Sequence, residues 1–208
     1  IVQHDGIKAI SFTGGTATGA HIASVVAPKF KKMSLELGGK NANIIFNDCD
    51  FDEALSTTVR TSFANQGQIC LCGSRLYVQS GIYEKFKAAL IEKVSRIVPG
   101  NPLEDKTKMG ALVSEPHLNK VLSFVELAKQ EGGIVLCGGE RVTLQGENAG
   151  GYFMLPTIIE GLNAQCRTNQ EEIFGPVITI QSFETEEEAQ QLANSTKYGL
   201  AASIWTNN

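Results

Sequence analysis

Charge is scarce in this chain and evenly split. Only 19% of its 208 residues are Asp, Glu, Lys or Arg, and 18 basic against 22 acidic side chains leave a formal net charge of −4. With a pI near 5.5, the chain lacks the broad basic surface needed to bind nucleic acid or an anionic membrane. Long hydrophobic runs are missing too. Stretches such as Asn43-Ile44-Ile45-Phe46 fall far short of the ~20 residues that cross a bilayer. Histidine is limited to His4, His21 and His117, none at ligand spacing from another, and Cys70 with Cys72 cannot supply the four ligands of tetrahedral zinc. No metal is expected. The five cysteines, at 49, 70, 72, 137 and 166, are odd in number and not densely spaced, which argues against a disulfide framework and for a reducing, cytoplasmic setting. Six prolines are few, whereas 21 glycines mark many backbone turns rather than disorder.

The length and the 42% apolar share fit an ordinary globular chain of one to two domains. The chain opens on Ile1 without a basic-then-apolar leader and stops two residues after a strand-like run, Gly199 to Thr206. Both ends lead us to expect a piece of a longer protein.

Strand and helix alternate along the chain. Ile7 to Phe12 reads as a strand, ends at Thr13-Gly14-Gly15-Thr16, and leads into a helix over Ala20 to Ala27 that Pro28 stops. Strands follow at Met33 to Leu37 and Asn41 to Phe46, with the Gly38-Gly39 pair turning the chain between them. Asp50 with Glu53 resembles a capping box, and Phe51, Ala54, Leu55, Val59, Ser62 and Phe63 share one helical face. Further strands are expected at Ser74 to Gln79, Ile134 to Cys137, Phe153 to Ile159 and Pro176 to Phe183. Helices on the faces Ile82, Phe86, Ala89, Leu90, Val94, Ile97 and Leu118, Val121, Leu122, Val125, Ala128 intervene, and Thr185 with Glu188 caps a last one. Repeated βα alternation implies an α/β fold with a largely parallel sheet.

Four short segments could carry chemistry. Phe12 to Gly19 places glycines between a strand and a helix, where free N–H groups suit a phosphate, but it matches neither a Walker A loop nor G-x-G-x-x-G. A plain structural turn is the alternative. Glu36, in Ser34-Leu35-Glu36-Leu37-Gly38-Gly39, is expected at the carboxyl end of a buried strand, where burial turns a carboxylate into a general base. The alternative is a surface ion pair with Lys32 or Lys40. Cys70 lies on a loop between helix and strand, a place suited to a nucleophile, although most lone cysteines are inert core residues. Glu171-Glu172-Ile173-Phe174-Gly175-Pro176 joins carboxylates for ribose hydroxyls to an aromatic ring for a flat heterocycle. It reads equally as a loop with Phe174 in the core.

Together, and in this order, Phe12-Thr13-Gly14-Gly15-Thr16, Leu35-Glu36-Leu37-Gly38-Gly39-Lys40-Asn41, Asn65-Gln66-Gly67-Gln68-Ile69-Cys70 and Glu171 to Val177 resemble the aldehyde dehydrogenase superfamily over essentially the whole chain. The stretch Ala64 to Arg75 is most similar to the 2-aminomuconic and 2-hydroxymuconic semialdehyde dehydrogenases. The resemblance implies a parallel-sheet catalytic domain over residues 39–208, incomplete at its C-terminal end, preceded in residues 1–38 by the C-terminal part of a Rossmann-like NAD-binding domain. It implies that Cys70 attacks the aldehyde and that Glu36 activates the water that hydrolyses the resulting thioester. By the same matching, Gly15 and Thr16 lie beside the NAD pyrophosphate, and Leu37 and Gly38 approach the nicotinamide. Glu172 binds its ribose, Phe174 packs near its ring, and Ile69 with Leu71 lines the aldehyde tunnel. Gly15 stands where many relatives have Ser, so only its backbone N–H is left for the pyrophosphate. The family's oxyanion-hole asparagine and adenine-ribose lysine, both upstream, have no counterpart here. The parent is expected to be a homo-oligomer acting on a small-molecule aldehyde. Two other readings stay open: acyl transfer to coenzyme A instead of water, against which Glu36 argues, and a non-catalytic nucleotide-binding or structural relative.

Overall fold

A computed structural model describes residues 1–208, which divide into two compact units, Ile1–Gly39 and Lys40–Asn208. In the first, β1 (Ala9–Thr13) and β2 (Lys32–Glu36) pair in parallel, from Ala9 opposite Lys32 to Thr13 opposite Glu36. The crossover between them is α1 (Thr16–Val26), continued by a 3-10 turn over Ala27–Lys29 in which Pro28 ends the helix. Helix α1 buries Gly19, Ile22 and Val26. At Gly19 a Cβ would collide with the Leu37 side chain, so only glycine lets this helix lie so close to the chain that leaves β2.

The second unit is built on a six-stranded sheet. Its strands are β3 (Ala42–Ile45), β4 (Arg75–Gln79), β5 (Ile134–Cys137), β8 (Thr157–Glu160), β9 (Val177–Phe183) and β10 (Ala202–Trp205), in the spatial order β10-β3-β4-β9-β8-β5. Every neighbouring pair is parallel except β5 with β8 at one edge. Alternate side chains meet helices on opposite faces. Ile45, Leu76, Val78, Ile158, Ile178 and Ile180 pack with α2 (Phe51–Phe63) and α3 (Ser80–Ser95) through Leu55, Phe63, Phe86, Leu90 and Val94. Ile159 and Val177 pack with α4 (Glu115–Gln130), whose buried stripe is Leu118, Val121, Phe124, Val125 and Ala128. The one-turn helix α5 (Arg167–Gln170) precedes β9, and Ile44, Tyr77 and Phe183 meet Ala189 of α6 (Glu186–Ala193). This is the α/β fold with a mostly parallel sheet that the alternation implied.

The caps behave as their residues dictate. Asp50 Oδ1 accepts from the Glu53 N–H at 3.0 Å, and Thr185 Oγ1 accepts from the Glu188 N–H at 3.3 Å. One expected element differs. The run Phe153 to Ile159 is two strands, because Pro156 offers no N–H to a ladder. Phe153–Met154 forms β7, which pairs with β6 (Arg141–Val142) in a separate ribbon, and the chain joins the main sheet only at Thr157. Ile97 and Phe124 also adjust the expected helical faces: Ile97 lies just beyond α3, and Phe124 joins the buried stripe of α4.

Two cations are buried at the start of the central strands, and each meets burial differently. Arg75 is 2% exposed and has no carboxylate partner. Its guanidinium donates instead to carbonyls, Nε to Lys40 O, Nη1 to Leu192 O and Nη2 to Ala193 O, all at 2.8 Å. Leu192 and Ala193 close α6, so the charge also sits at the negative end of that helix dipole. Lys40, equally buried, makes no hydrogen bond through Nζ. Desolvation, and then the neighbouring Arg75 charge, push its pKa down to about 7.

Between about pH 7 and the unfolded lysine value near 10.4, the unfolded chain holds a proton on Lys40 that the folded chain does not. Stability from this group therefore rises with pH across that window. Lys40→Met in the full-length protein is expected to gain a few kcal/mol at pH 6 and to lose that advantage progressively toward pH 10. Parallel urea unfolding of the two proteins checks this; a difference that stays constant from pH 6 to 10 would count against a neutral buried amine.

Candidate active site

Beyond Phe63 the α2 backbone reverses hand. Asn65 (φ 47°), Gln66 (φ 58°) and Gly67 (φ 67°) are all left-handed, a conformation that costs a non-glycine residue on the order of 1 kcal/mol or more. The turn is held from outside. Gln66 Nε2 donates to Ala111 O at 2.9 Å, and Gln68 Oε1 accepts from the Val113 N–H at 3.0 Å. Asn65 Nδ2 donates to Gln68 O at 3.2 Å. The chain then presents Cys70, half-buried, between Ile69 and Leu71, which are 37% and 60% exposed.

Asn41, at the entry to β3, ties down the thiol segment on both sides. Its Nδ2 donates to Cys70 O at 2.7 Å and to Cys72 O at 3.0 Å, while its Oδ1 accepts from the Ala201 N–H at 3.2 Å. Cys72 is buried, and burial pushes its thiol pKa up, which keeps it protonated and inert near neutrality. Of the two neighbouring thiols, only Cys70 is accessible. Its carbonyl is fixed by Asn41.

The segment Glu171 to Pro176 lies against this loop. A Cβ on Gly67 would collide with the Gly175 carbonyl, so the two main chains are in direct contact. Phe174 takes the left-handed turn (φ 62°) in place of the adjacent glycine. Gly175 serves space instead, since a Cβ there would stand 2.6 Å from Val121 Cγ2. Phe174 is 36% exposed and so is not the core residue that its apolar neighbours allowed. Its carbonyl accepts from His117 Nε2 at 2.6 Å, and the two rings meet edge to face at 6.2 Å. Lys120 Nζ donates to Glu172 O at 3.2 Å. Glu171 pairs with Arg167 at 2.6 Å on the surface, and that pair holds its carboxyl below the usual range.

In the first unit, the Gly14 N–H donates to Glu36 O at 3.0 Å, which draws the turn after β1 to the end of β2. Gly15 caps α1 without any side-chain acceptor, and a Cβ on it would meet nothing within 4 Å. Gly15 and Thr16 are exposed, while Leu37 and Gly38 are partly buried. Glu36 departs from expectation, because it is exposed at the carboxyl end of a strand that is itself largely exposed. Nor is Glu36 paired with Lys32; the ion pair within this unit joins Lys29 to Asp5. The structure thus groups Gly15, Thr16, Glu36, Leu37 and Gly38 at one end of the first unit, and Ile69, Cys70, Leu71, Glu172 and Phe174 on two touching loops of the second. Asn41, Gln66, Gln68, His117 and Lys120 were not anticipated as part of either arrangement.

The model of the Aldehyde dehydrogenase family matches residues 1–208. The chain is 47% identical over 210 residues to a 2-aminomuconic semialdehyde dehydrogenase of Danio rerio, covering 100% of this chain and 43% of that protein. It is 46% identical over 208 residues to a 2-aminomuconic 6-semialdehyde dehydrogenase of a Pseudomonas species, covering 100% of this chain and 42% of that one. Among solved structures, betaine aldehyde dehydrogenase of Staphylococcus aureus in complex with NAD+ superposes with a TM-score of 0.95 at 42% identity, over 100% of this chain and 41% of that one. The chain spans less than half the length of the curated relatives it matches. With its whole length matched by the family model and its fold shared with solved members, the chain belongs to the aldehyde dehydrogenase family.

Proposed function

We propose that this chain carries the thiol site of an NAD-dependent aldehyde dehydrogenase that oxidises a carboxylate-bearing semialdehyde, of the 2-aminomuconic or 2-hydroxymuconic kind, to the acid. The supporting observation is the accessible Cys70 on a turn pinned by Asn41 and in main-chain contact with the segment that bears Glu172 and Phe174. The substrate class rests on the 46–47% identity to aminomuconic semialdehyde dehydrogenases over the whole chain. The division after Gly39 supports reading residues 1–38 as the end of the cofactor domain and 39–208 as the catalytic domain.

The residues present suit NAD. The uncapped N-terminus of α1 and the open space above Gly15 leave N–H groups free for a pyrophosphate, and the exposed Phe174 ring offers a face to a nicotinamide. When bound, NAD takes the two electrons removed from the aldehyde carbon. Glu172 would hold the nicotinamide ribose through its carboxylate, Thr16 would sit at the pyrophosphate, and the Leu37 and Gly38 backbone would border the nicotinamide. Ile69 and Leu71 would line the approach of the aldehyde.

Cys70, as a thiolate, adds to the carbonyl carbon, forming a C–S bond and a tetrahedral thiohemiacetal. After oxidation that carbon stays on Cys70 as a thioester. Glu36 takes a proton from water as the water oxygen adds to the thioester carbon; the C–S bond then breaks, the thiolate leaves, and the acid is released. A carboxylate base in this position favours hydrolysis over transfer to coenzyme A.

In the full-length protein, Cys70→Ala is expected to reduce NAD-linked oxidation of a muconic semialdehyde to background while leaving NAD+ affinity within about threefold of wild type. Dehydrogenase turnover that survives the substitution would sink the assignment. Glu36→Gln should keep the first-turnover burst of NADH and slow the following steady state by about 10²- to 10⁴-fold. Rapid-mixing absorbance at the NADH band separates the two phases, and an unchanged steady state with deacylation limiting would refute the base role.

A further inference from the structure

We infer that His117 is a positioning residue for Phe174, and through it for the nicotinamide that Phe174 is proposed to face; this rests on the functional reading above. The need for such a residue is written in the backbone. In Ile173-Phe174-Gly175-Pro176 the chain needs one left-handed residue, and glycine adopts that conformation without steric cost. Gly175 instead adopts an ordinary conformation: it precedes Pro176, which favours extended backbone, and its missing side chain makes room for Val121. The left-handed turn therefore falls on Phe174, a bulky residue for which it is strained.

Burial does not hold Phe174, since its side chain is one of the exposed large hydrophobics. The polar contact from His117 is what fixes it. A carbonyl only accepts, so the 2.6 Å contact requires the proton on Nε2, and the imidazole donates to Phe174 O while its ring edge meets the phenyl ring. His117 is itself well anchored. It lies in the first turn of α4, and its own N–H donates to the N-cap hydroxyl Ser114 Oγ at 3.3 Å. One residue earlier, the Val113 N–H is bound to Gln68 of the thiol loop, and one turn later Lys120 holds the Glu172 carbonyl. The start of α4 is thus a bracket with the Cys70 loop on one side and the Glu172–Phe174 segment on the other.

The test uses the full-length protein with His117→Phe, which keeps the ring contact but cannot donate, and His117→Gln, which restores a donor. The expected result for His117→Phe is a rise in the NAD+ dissociation constant of about tenfold, as for loss of one hydrogen bond. The KM for aldehyde should stay near wild type, the melting temperature should fall by no more than a few degrees, and His117→Gln should recover most of both losses. A second readout needs no turnover: hydrogen exchange across residues 171–177 of the free protein should accelerate in His117→Phe and not in His117→Gln. Wild-type NAD+ affinity and wild-type exchange in His117→Phe would overturn the inference. So would a general loss of stability that His117→Gln fails to restore, since that marks a structural role only. If the exchange result holds while the wild type oxidises no aldehyde with NAD+, the functional reading fails and the clamp on Phe174 stands.

Discussion

Main chain rests on main chain where Gly67 meets Gly175, and the second unit's candidate site depends on that approach. Two loops from distant parts of the sequence come so close here because Gly67 carries no side chain, while the bare Gly175 makes room for Val121 of α4. Gly67 sits on the turn that leads to Cys70, and Gly175 follows the residue that bears the exposed ring. Fixing this distance fixes the separation of the proposed nucleophile from the proposed cofactor face. Left-handed backbone lies on both sides of the contact, at Asn65, Gln66 and Gly67 in one loop and at Phe174 in the other.

The buried charges set a second constraint at the base of the same region. The planar fork of Arg75 meets carbonyls at the end of α6, where the helix dipole is negative. Lys40 has no such set of acceptors, and its pKa falls. Arg75 contributes to that fall, while Cys166 and Glu172 oppose it, so the amine beneath the Glu172 segment is tuned by residues from several elements. Asn41, next in sequence to Lys40, satisfies the carbonyls of the thiol loop with a neutral amide. A charged donor in that position would have added a third cation close to Arg75.

Much of this was legible locally. Apolar runs of β-branched and aromatic residues located β3, β4 and β9, helical spacing located α2, α3 and α4, and the hydroxyl or carboxylate before each acidic third position located the caps at Asp50 and Thr185. The ordered motifs around Glu36, Cys70 and Glu172 are contiguous, which is why a sequence carries them intact. What escaped was non-local. Asn41 reaches Cys70, Gln68 reaches Val113 and His117 reaches Phe174 across 29, 45 and 57 residues, and no periodicity announces a hydrogen bond of that kind. The exposure of Glu36 escaped for another reason: the alternation of β2 describes a strand, not how many layers cover it.

The site residues of the second unit also share a problem that the core does not have. Ile69, Leu71 and Phe174 are left partly open, so they forgo part of the roughly 1.5 to 3 kcal/mol that full burial gives a large apolar side chain. Order has to come from elsewhere, and here it comes from side-chain-to-backbone hydrogen bonds between segments: Gln66 and Gln68 reach out from the thiol turn to the backbone of Ala111 and Val113, while Asn41 bonds the Cys70 carbonyl and His117 and Lys120 bond the carbonyls of the aromatic segment. Each such bond contributes about 0.5 to 1.5 kcal/mol, comparable with the strain of a left-handed non-glycine. Hydrogen bonds fix direction as well as distance, which hydrophobic contact does not. Polar staples on closely packed loops therefore keep a half-buried thiol and an exposed ring in register, where apolar burial would have covered both.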